Sequence, residues 1–401
     1  MFNLLSNVDF MSDHENLGHK FNSQEDLSTL NYEDSQNDSS ITIANDANAF
    51  NTRLERRLID DNTPQNSKRL NKRRVKSRNS LNQNQNSTQN GWSRGDLINF
   101  QFDGTNHAQN NEPAAWYAKF STYTLEKCKS GYVDSHCHID YIYKRLKING
   151  STSLDDYWKK NEFTIPEAFD GAVVVFCEPY AHDKFKIYHT LLQQKNLVGI
   201  FGCHPHSAHQ YTDELEASIC RVLKNEKKAV AVGEIGLDYT DRSPASRELQ
   251  QQVFSRQIKI AIDNDLPICI HCRDAEDDLH LVLGKCVPSS YKMHRHCFTE
   301  GPEAMQRLID KYPNMYFGFT NLVTNPSASK CIAAARQVPL NRLLLETDAP
   351  FFVPHDAPKS VKISEPFMAI KVAEKIASLR NIRLDEVLRA VRKNTKQMYT
   401  L

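Results

Sequence analysis

An α/β fold, a (β/α)8 TIM barrel preceded by a disordered N-terminal arm, is predicted for this 401-residue chain by three observations. Eight short runs of apolar and β-branched residues alternate with segments of helical periodicity over the roughly 270 residues from Gly131 to Leu401, matching a barrel of about 250 residues. Side chains of metal-ligand type recur at or near the C-terminal ends of those runs: His136, His138, Glu234, His271, His296 and Asp348. Ends of successive βα units converge on one face of a barrel, where such folds carry their chemistry. Before Lys127 the composition shifts to Asn, Ser and unbalanced charge, which sets an arm at 1–127 and a barrel at 128–401.

The arm carries opposite charges in sequence. Residues 1–50 hold nine acidic residues against the single basic Lys20 and too few apolar side chains to offset the entropy of ordering, so the stretch reads as disordered. Residues 53–78 hold ten Lys or Arg against Glu55, Asp60 and Asp61, and an Asn/Gln/Ser tract follows to Asn90. Arg56 and Arg57, then Lys68, Arg69, Lys72, Arg73 and Arg74, have the spacing of a two-part signal for a nuclear import receptor. The same block could grip phosphates non-specifically or remain a solvated basic run. A nuclear location follows from the first reading and a cytoplasmic one from the last.

All ten cysteines lie at or after Cys128, with no spacing that suggests a disulfide framework, so a reducing intracellular compartment is expected. Cys269 and Cys272 form one C-x-x-C inside an apolar run; a structural zinc knuckle would need a second pair. No signal peptide opens the chain, and no apolar run approaches the roughly 20 residues of a membrane span. A soluble protein without a membrane partner is expected, and its oligomeric state is not written in the sequence.

The predicted strands are 132–138, 172–177, 197–203, 229–237, 267–273, 291–298, 315–320 and 342–348. Between them, 246–263 and 303–311 carry apolar residues at helical spacing, for example Val253, Ile258, Ala261 and Ile262. Helices at 365–378 and 384–399 would close the domain. A doubly wound open sheet is the rival, but the glycine-rich phosphate turn that often accompanies it is absent.

In D-S-H-C-H-I-D, from Asp134 to Asp140, the two histidines are two apart on a strand and face the same way, a geometry for two ligands on one ion. Glu234 sits in V-G-E-I-G-L-D, an apolar run in which a charged carboxylate must be paired, hydrogen-bonded or metal-bound; a bridging ligand fits that demand. His271 enters H-C-R-D, His296 enters H-R-H-C-F, and Asp348 enters L-L-L-E-T-D-A-P. His294 is also in range, with His296 nearer the strand end. Asp134, Asp140 and Asp238 are expected to orient ligands or cap loops, and Glu346 is a further candidate of that kind.

Together with G-C-H-P-H at Gly202 to His206, R-H-C-F-T at Arg295 to Thr299 and P-N-M at Pro313 to Met315, these motifs resemble the TatD family of metal-dependent nucleases. The match runs from about Val133 to Leu401, and it is nearest to eukaryotic members with a long N-terminal extension. The resemblance implies a barrel of the metal-dependent hydrolase type, with His136, His138 and Asp348 holding one divalent ion, Glu234 bridging, and His271 and His296 holding a second. It implies phosphodiester hydrolysis of DNA or RNA by a water that the two ions activate, with Glu234 and Asp348 as catalytic residues and Asp348 orienting the water or accepting its proton. Magnesium or manganese would support activity, and zinc could also bind. His204 and Arg273 would touch substrate phosphates; the alternatives are a ligand-supporting role for His204 and a salt bridge to Asp274 for Arg273.

The chain departs from the family where Thr299, Glu300 and Gly301 follow H-C-F, placing a carboxylate where a polyanion should approach. Two other functions stay open at this stage: hydrolysis of a small ester or amide at the same metal pair, and a non-catalytic nucleic-acid scaffold.

Overall fold

A computed structural model describes residues 112–182 and 187–401. Eight strands, β1 Tyr132–Cys137, β2 Phe169–Phe176, β3 Leu197–Phe201, β4 Ala229–Asp238, β5 Ile268–Arg273, β6 Met293–Arg295, β7 Met315–Phe319 and β8 Leu343–Leu345, pair in sequence order, each parallel to the next. The helices are α1 Glu112–Ala118, α2 Leu125–Cys128, α3 Ile139–Leu146, α4 Leu154–Lys160, α5 Ile187–Leu192, α6 Asp213–Asn225, α7 Arg247–Asp263, α8 Glu276–Cys286, α9 Pro302–Lys311, α10 Ser329–Gln337, α11 Ala369–Arg380 and α12 Leu384–Tyr399. This is the barrel that the alternation of runs predicts.

Period-two alternation sorts the strand residues into two cores. Val173, Val175, Ile200, Ala231, Cys269 and Leu344 pack together as one buried cluster with Met398 and Tyr399 of α12. Val174, Phe176, Phe201, Val232, Ile270 and Leu345 belong to the larger cluster shared with the helices. The ring closes near the site: the Asp348 amide donates to the His136 carbonyl at 2.9 Å and the His138 amide to the Ala349 carbonyl at 2.8 Å. Gly171, at φ +148°, lets β2 meet the carbonyl of Asn196, where a Cβ would collide.

Two boundaries differ from expectation. Strands at 291–298 and 342–348 are shorter, ending at Arg295 and Leu345, so His296 and Asp348 lie on the loops that follow. Left-handed backbone at Cys297 (φ 41°) and Asp348 (φ 53°) takes these segments out of the ladder.

The second correction concerns the arm, whose expected end at 127 lies inside folded chain. Trp116, Phe120, Tyr123 and Cys128 of the α1–α2 region are buried, and the Phe120 ring meets Phe367 edge-on at 5.2 Å. Their spacing is a short helical stripe, hidden in the sequence by the Asn-rich tract before it. The basic block at 53–78 and the expected disorder of residues 1–111 lie outside the described residues. No helix among the described residues is long and apolar enough to cross a membrane.

Below this aromatic layer, buried Glu365 accepts from the Tyr157 hydroxyl at 2.6 Å and the Trp158 indole at 3.0 Å. Burial raises its carboxyl to about 7 against those two donors.

Two measurements follow. Truncation before residue 112 should leave barrel stability unchanged, whereas truncation before residue 128 should destabilise it by at least about 3 kcal/mol in urea, the cost of losing one buried aromatic. Equal midpoints would show that α1 and α2 are not part of the core. For Glu365, a folded-state value above the unfolded one means its stabilising contribution is complete below about 4.5 and is lost as pH rises through 7. Relative to Glu365→Gln, the native chain should therefore lose on the order of 3 kcal/mol across that window. Parallel stability curves for the two proteins would refute this.

Candidate metal centre

The ends of the strands bring all six expected ligands to one place, organised around Glu234. Its Oε2 lies 3.6 Å from His136 Nε2 and 3.4 Å from His138 Nε2, and its Oε1 lies 2.6 Å from both His271 Nδ1 and His296 Nε2. Asp348 Oδ1 completes the first group, 3.6 Å from His136 Nε2 and 3.2 Å from His138 Nε2, with the two imidazole nitrogens 3.2 Å apart. His271 Nδ1 and His296 Nε2 are 3.1 Å apart in the second group. One carboxylate thus faces two sets of donors, one oxygen to each.

These separations can be tested against coordination geometry. Ligands about 2.1 Å from an ion lie about 3.0 Å apart on an octahedron and about 3.4 Å apart on a tetrahedron. The first group, at 3.2–3.6 Å, has that spacing. The second is tighter where Glu234 meets two imidazoles, at hydrogen-bond length. His136, His138 and Asp348, and His204, Glu234 and His271, are among the buried triads whose ligand atoms are close enough to hold an ion. The residues present therefore fit divalent metal, and their imidazole and carboxylate donors suit first-row transition ions.

Partners behind the site aim two of the imidazoles, His136 and His271. His136 turns Nδ1 toward Cys269 Sγ at 3.3 Å, which leaves Nε2 for the centre. Asp134 accepts from the His136 amide and from both the amide and hydroxyl of Thr347, tying β1 to the segment after β8. Burial would push this carboxyl up, and those donors act in the opposite direction. Asp238 Oδ2 stands 3.0 Å from His271 Nε2 and 2.9 Å from His206 Nε2. Burial would raise Asp238 too, but the His206 and His271 contacts outweigh it and hold the carboxylate well below its ordinary range. Gln250 fixes the backbone here, accepting from the Asp238 amide and donating to its carbonyl. Asp134 and Asp238 thus contact two of the histidines that face Glu234.

For Glu234, burial works against the charge, and His296, His204, His136 and His138 together hold the carboxyl well below its usual range. Burial likewise disfavours the charged imidazole of His138, yet its Asp348, Cys177 and Glu234 partners raise it. Burial lowers His296.

His294 does not join the centre. Its Nδ1 meets the Tyr399 hydroxyl at 2.6 Å and its Nε2 lies 3.0 Å from Glu346 Oε2. Burial raises Glu346 to about 8 and lowers His294 to about 3. Glu346 Oε1 also accepts from the Cys297 amide. This places Glu346 beneath the loop that carries His296.

The two expected phosphate contacts fall differently. His204 points Nε2 at Glu234 Oε1, 3.5 Å away, while its Nδ1 accepts from the His206 amide. With Nδ1 accepting, Nε2 carries the proton, and His204 faces the Glu234 carboxylate as a support. Arg273 donates from Nη1 to the carbonyls of Cys272 and Cys297 at 2.9 Å each, and no ion pair to Asp274 forms. Glu300 lies 4.0 Å from Lys330, which offsets its charge in part.

The sequence reading missed two residues. Cys177, one position past β2, puts Sγ 3.7 Å from Glu234 Oε2. Tyr141 stacks on the His138 ring at 4.5 Å and 7°. A cysteine at a strand end is the legible signal for the first; the second needs three-dimensional contact.

The TatD related DNase family matches residues 133–400. The human 3'-5' RNA nuclease TATDN2 is 37% identical over 274 residues, covering 68% of this chain and 36% of that protein. The chain therefore spans about a third of that relative's length. The uncharacterized metal-dependent hydrolase YcfH of Escherichia coli K12 is 33% identical over 268 residues, 67% of this chain and 95% of that protein. The solved structure of YJJV, a TatD homolog from the same bacterium, superposes with a TM-score of 0.58 at 26% identity, covering 67% of this chain and 98% of that one. On sequence and on fold alike, this chain belongs to the TatD related DNase family.

Proposed function

We propose that the barrel is a metal-dependent nuclease that hydrolyses phosphodiester bonds of nucleic acid. The single observation that carries this reading is the placement of Glu234, with one oxygen toward His136 and His138, which also face Asp348, and the other toward His271 and His296. Family membership and the nuclease activity named for the human relative support it. His136, His138 and Asp348 would hold one ion, His271 and His296 a second, and Glu234 would bridge them; magnesium or manganese is the proposed pair for turnover. When bound, two such ions supply Lewis-acid stabilisation of phosphoryl charge and lower the pKa of a coordinated water.

The chain's own groups do the rest. Asp348 holds Oδ1 beside the first group and orients the attacking water or takes its proton. His204, 3.5 Å from Glu234, keeps the bridging carboxylate charged. Arg273, held by two carbonyls, would offer its remaining guanidinium donors to a substrate phosphate. The basic block at 53–78 is retained as an import signal and a non-specific polyanion contact.

Two assays test this. End-labelled single- and double-stranded DNA, RNA and DNA–RNA hybrid are incubated with magnesium, manganese or chelator. Cleavage should require metal and fall at least about a hundredfold in Glu234→Gln. No cleavage of any polymer would withdraw the nuclease reading in favour of a small-substrate hydrolase or a scaffold. In the same assay, Arg273→Lys should raise KM by about tenfold or more with little change in kcat, because a lysine cannot hold both carbonyls and a phosphate. An unchanged KM would remove Arg273 from the substrate contacts.

A further inference from the structure

We propose that Cys177 is a thiolate ligand of the ion beside His136, His138 and Asp348, biasing this half of the centre toward zinc, cobalt or cadmium and away from magnesium. The inference rests on the metal-centre reading above. Cys177 occupies the first position past β2, equivalent to the strand-end positions of the other ligands, and is 1% exposed. Its Sγ, the His138 imidazole and the Glu234 carboxylate all lie within 4.8 Å of one another. Sulfur about 2.3 Å from zinc and oxygen about 2.0–2.2 Å from it subtend a tetrahedral edge of about 3.5–3.7 Å. The distance from Sγ to Glu234 Oε2 is 3.7 Å.

The surroundings suit a bound sulfur. The Tyr141 hydroxyl lies 3.8 Å from Sγ and 2.7 Å from Glu178 Oε1. Cys269, the other thiol near the histidines, contacts Nδ1 of His136, the nitrogen opposite the one that faces Glu234. Without a cation, burial holds the Cys177 thiol above its ordinary range, with Glu234 acting in the same direction. Coordination reverses this: the sulfur donates its pair to the ion and the S–H proton passes to solvent. Hard, strongly hydrated magnesium gains little from a thiolate, whereas borderline and soft ions gain much.

Cobalt(II) is the probe, added to the full chain and to Cys177→Ser, Cys177→Ala and Cys269→Ser. The native protein and Cys269→Ser should show a near-ultraviolet sulfur-to-cobalt charge-transfer band that both Cys177 variants lack. All four should keep the visible d–d absorption of bound cobalt, and circular dichroism confirms that each is folded. Zinc affinity, read by chelator competition, should fall at least about tenfold in Cys177→Ala, with manganese affinity changing less. Visible absorption without a charge-transfer band in the native protein, or a band that survives in Cys177→Ser, overturns the role of Cys177 and leaves the metal centre standing. If native protein shows no visible cobalt absorption at all, the metal-centre reading fails and this inference with it.

Discussion

One buried carboxylate sets the terms for the rest of the molecule. Glu234 is 2% exposed inside the apolar strand β4, a position where an unpaired charge would cost several kcal/mol. Five imidazoles surround it, arriving from the ends of four strands. Parallel strands in a closed ring are a means of delivering many side chains to one point while each stays on rigid backbone. Burial would otherwise neutralise Glu234, so the charge survives only while those histidines stay in register. Closure between β1 and the segment after β8 is thus a condition of the chemistry as well as of the fold.

A layer of polar groups behind the donors enforces that register. Asp134 joins His136 to Thr347, Asp238 joins His271 to His206, and Glu346 joins His294 to the loop of Cys297. The first two pairs span elements far apart in sequence, and Glu346 reaches the third from the segment after β8. The last helix takes part as well, since Tyr399 from α12 reaches His294 among the strand residues. A metal-ligating histidine needs its second nitrogen occupied to fix tautomer and ring orientation; Asp238 does this for His271 and Cys269 for His136.

How much of this was legible follows from the range of each signal. Strand order and the convergence of the six side chains on one place were readable because period-two patterning and strand-end position are local properties. The folded status of 112–128 was not, because Tyr117 and Phe120 acquire their meaning only against Phe367, roughly 250 residues away along the chain. His204 was assigned to substrate because its motif says nothing of direction; its Nδ1, occupied by the His206 amide, turns Nε2 inward. The ends of β6 and β8 were overrun because apolar composition continues past the points where Cys297 and Asp348 turn left-handed.

Ion preference and polymer preference must then arise in different places. Donor type at the centre governs which cation binds, and a phosphodiester presents the same charge whichever sugar flanks it. Planar side chains stand beside the centre: Tyr141 lies flat on His138, and Phe351 meets Tyr141 edge-on at 6.2 Å. Discrimination between RNA and DNA requires a polar atom within reach of the 2′-hydroxyl. The loops after the strands are the elements free to supply one, because the strand ends themselves are committed to Glu234.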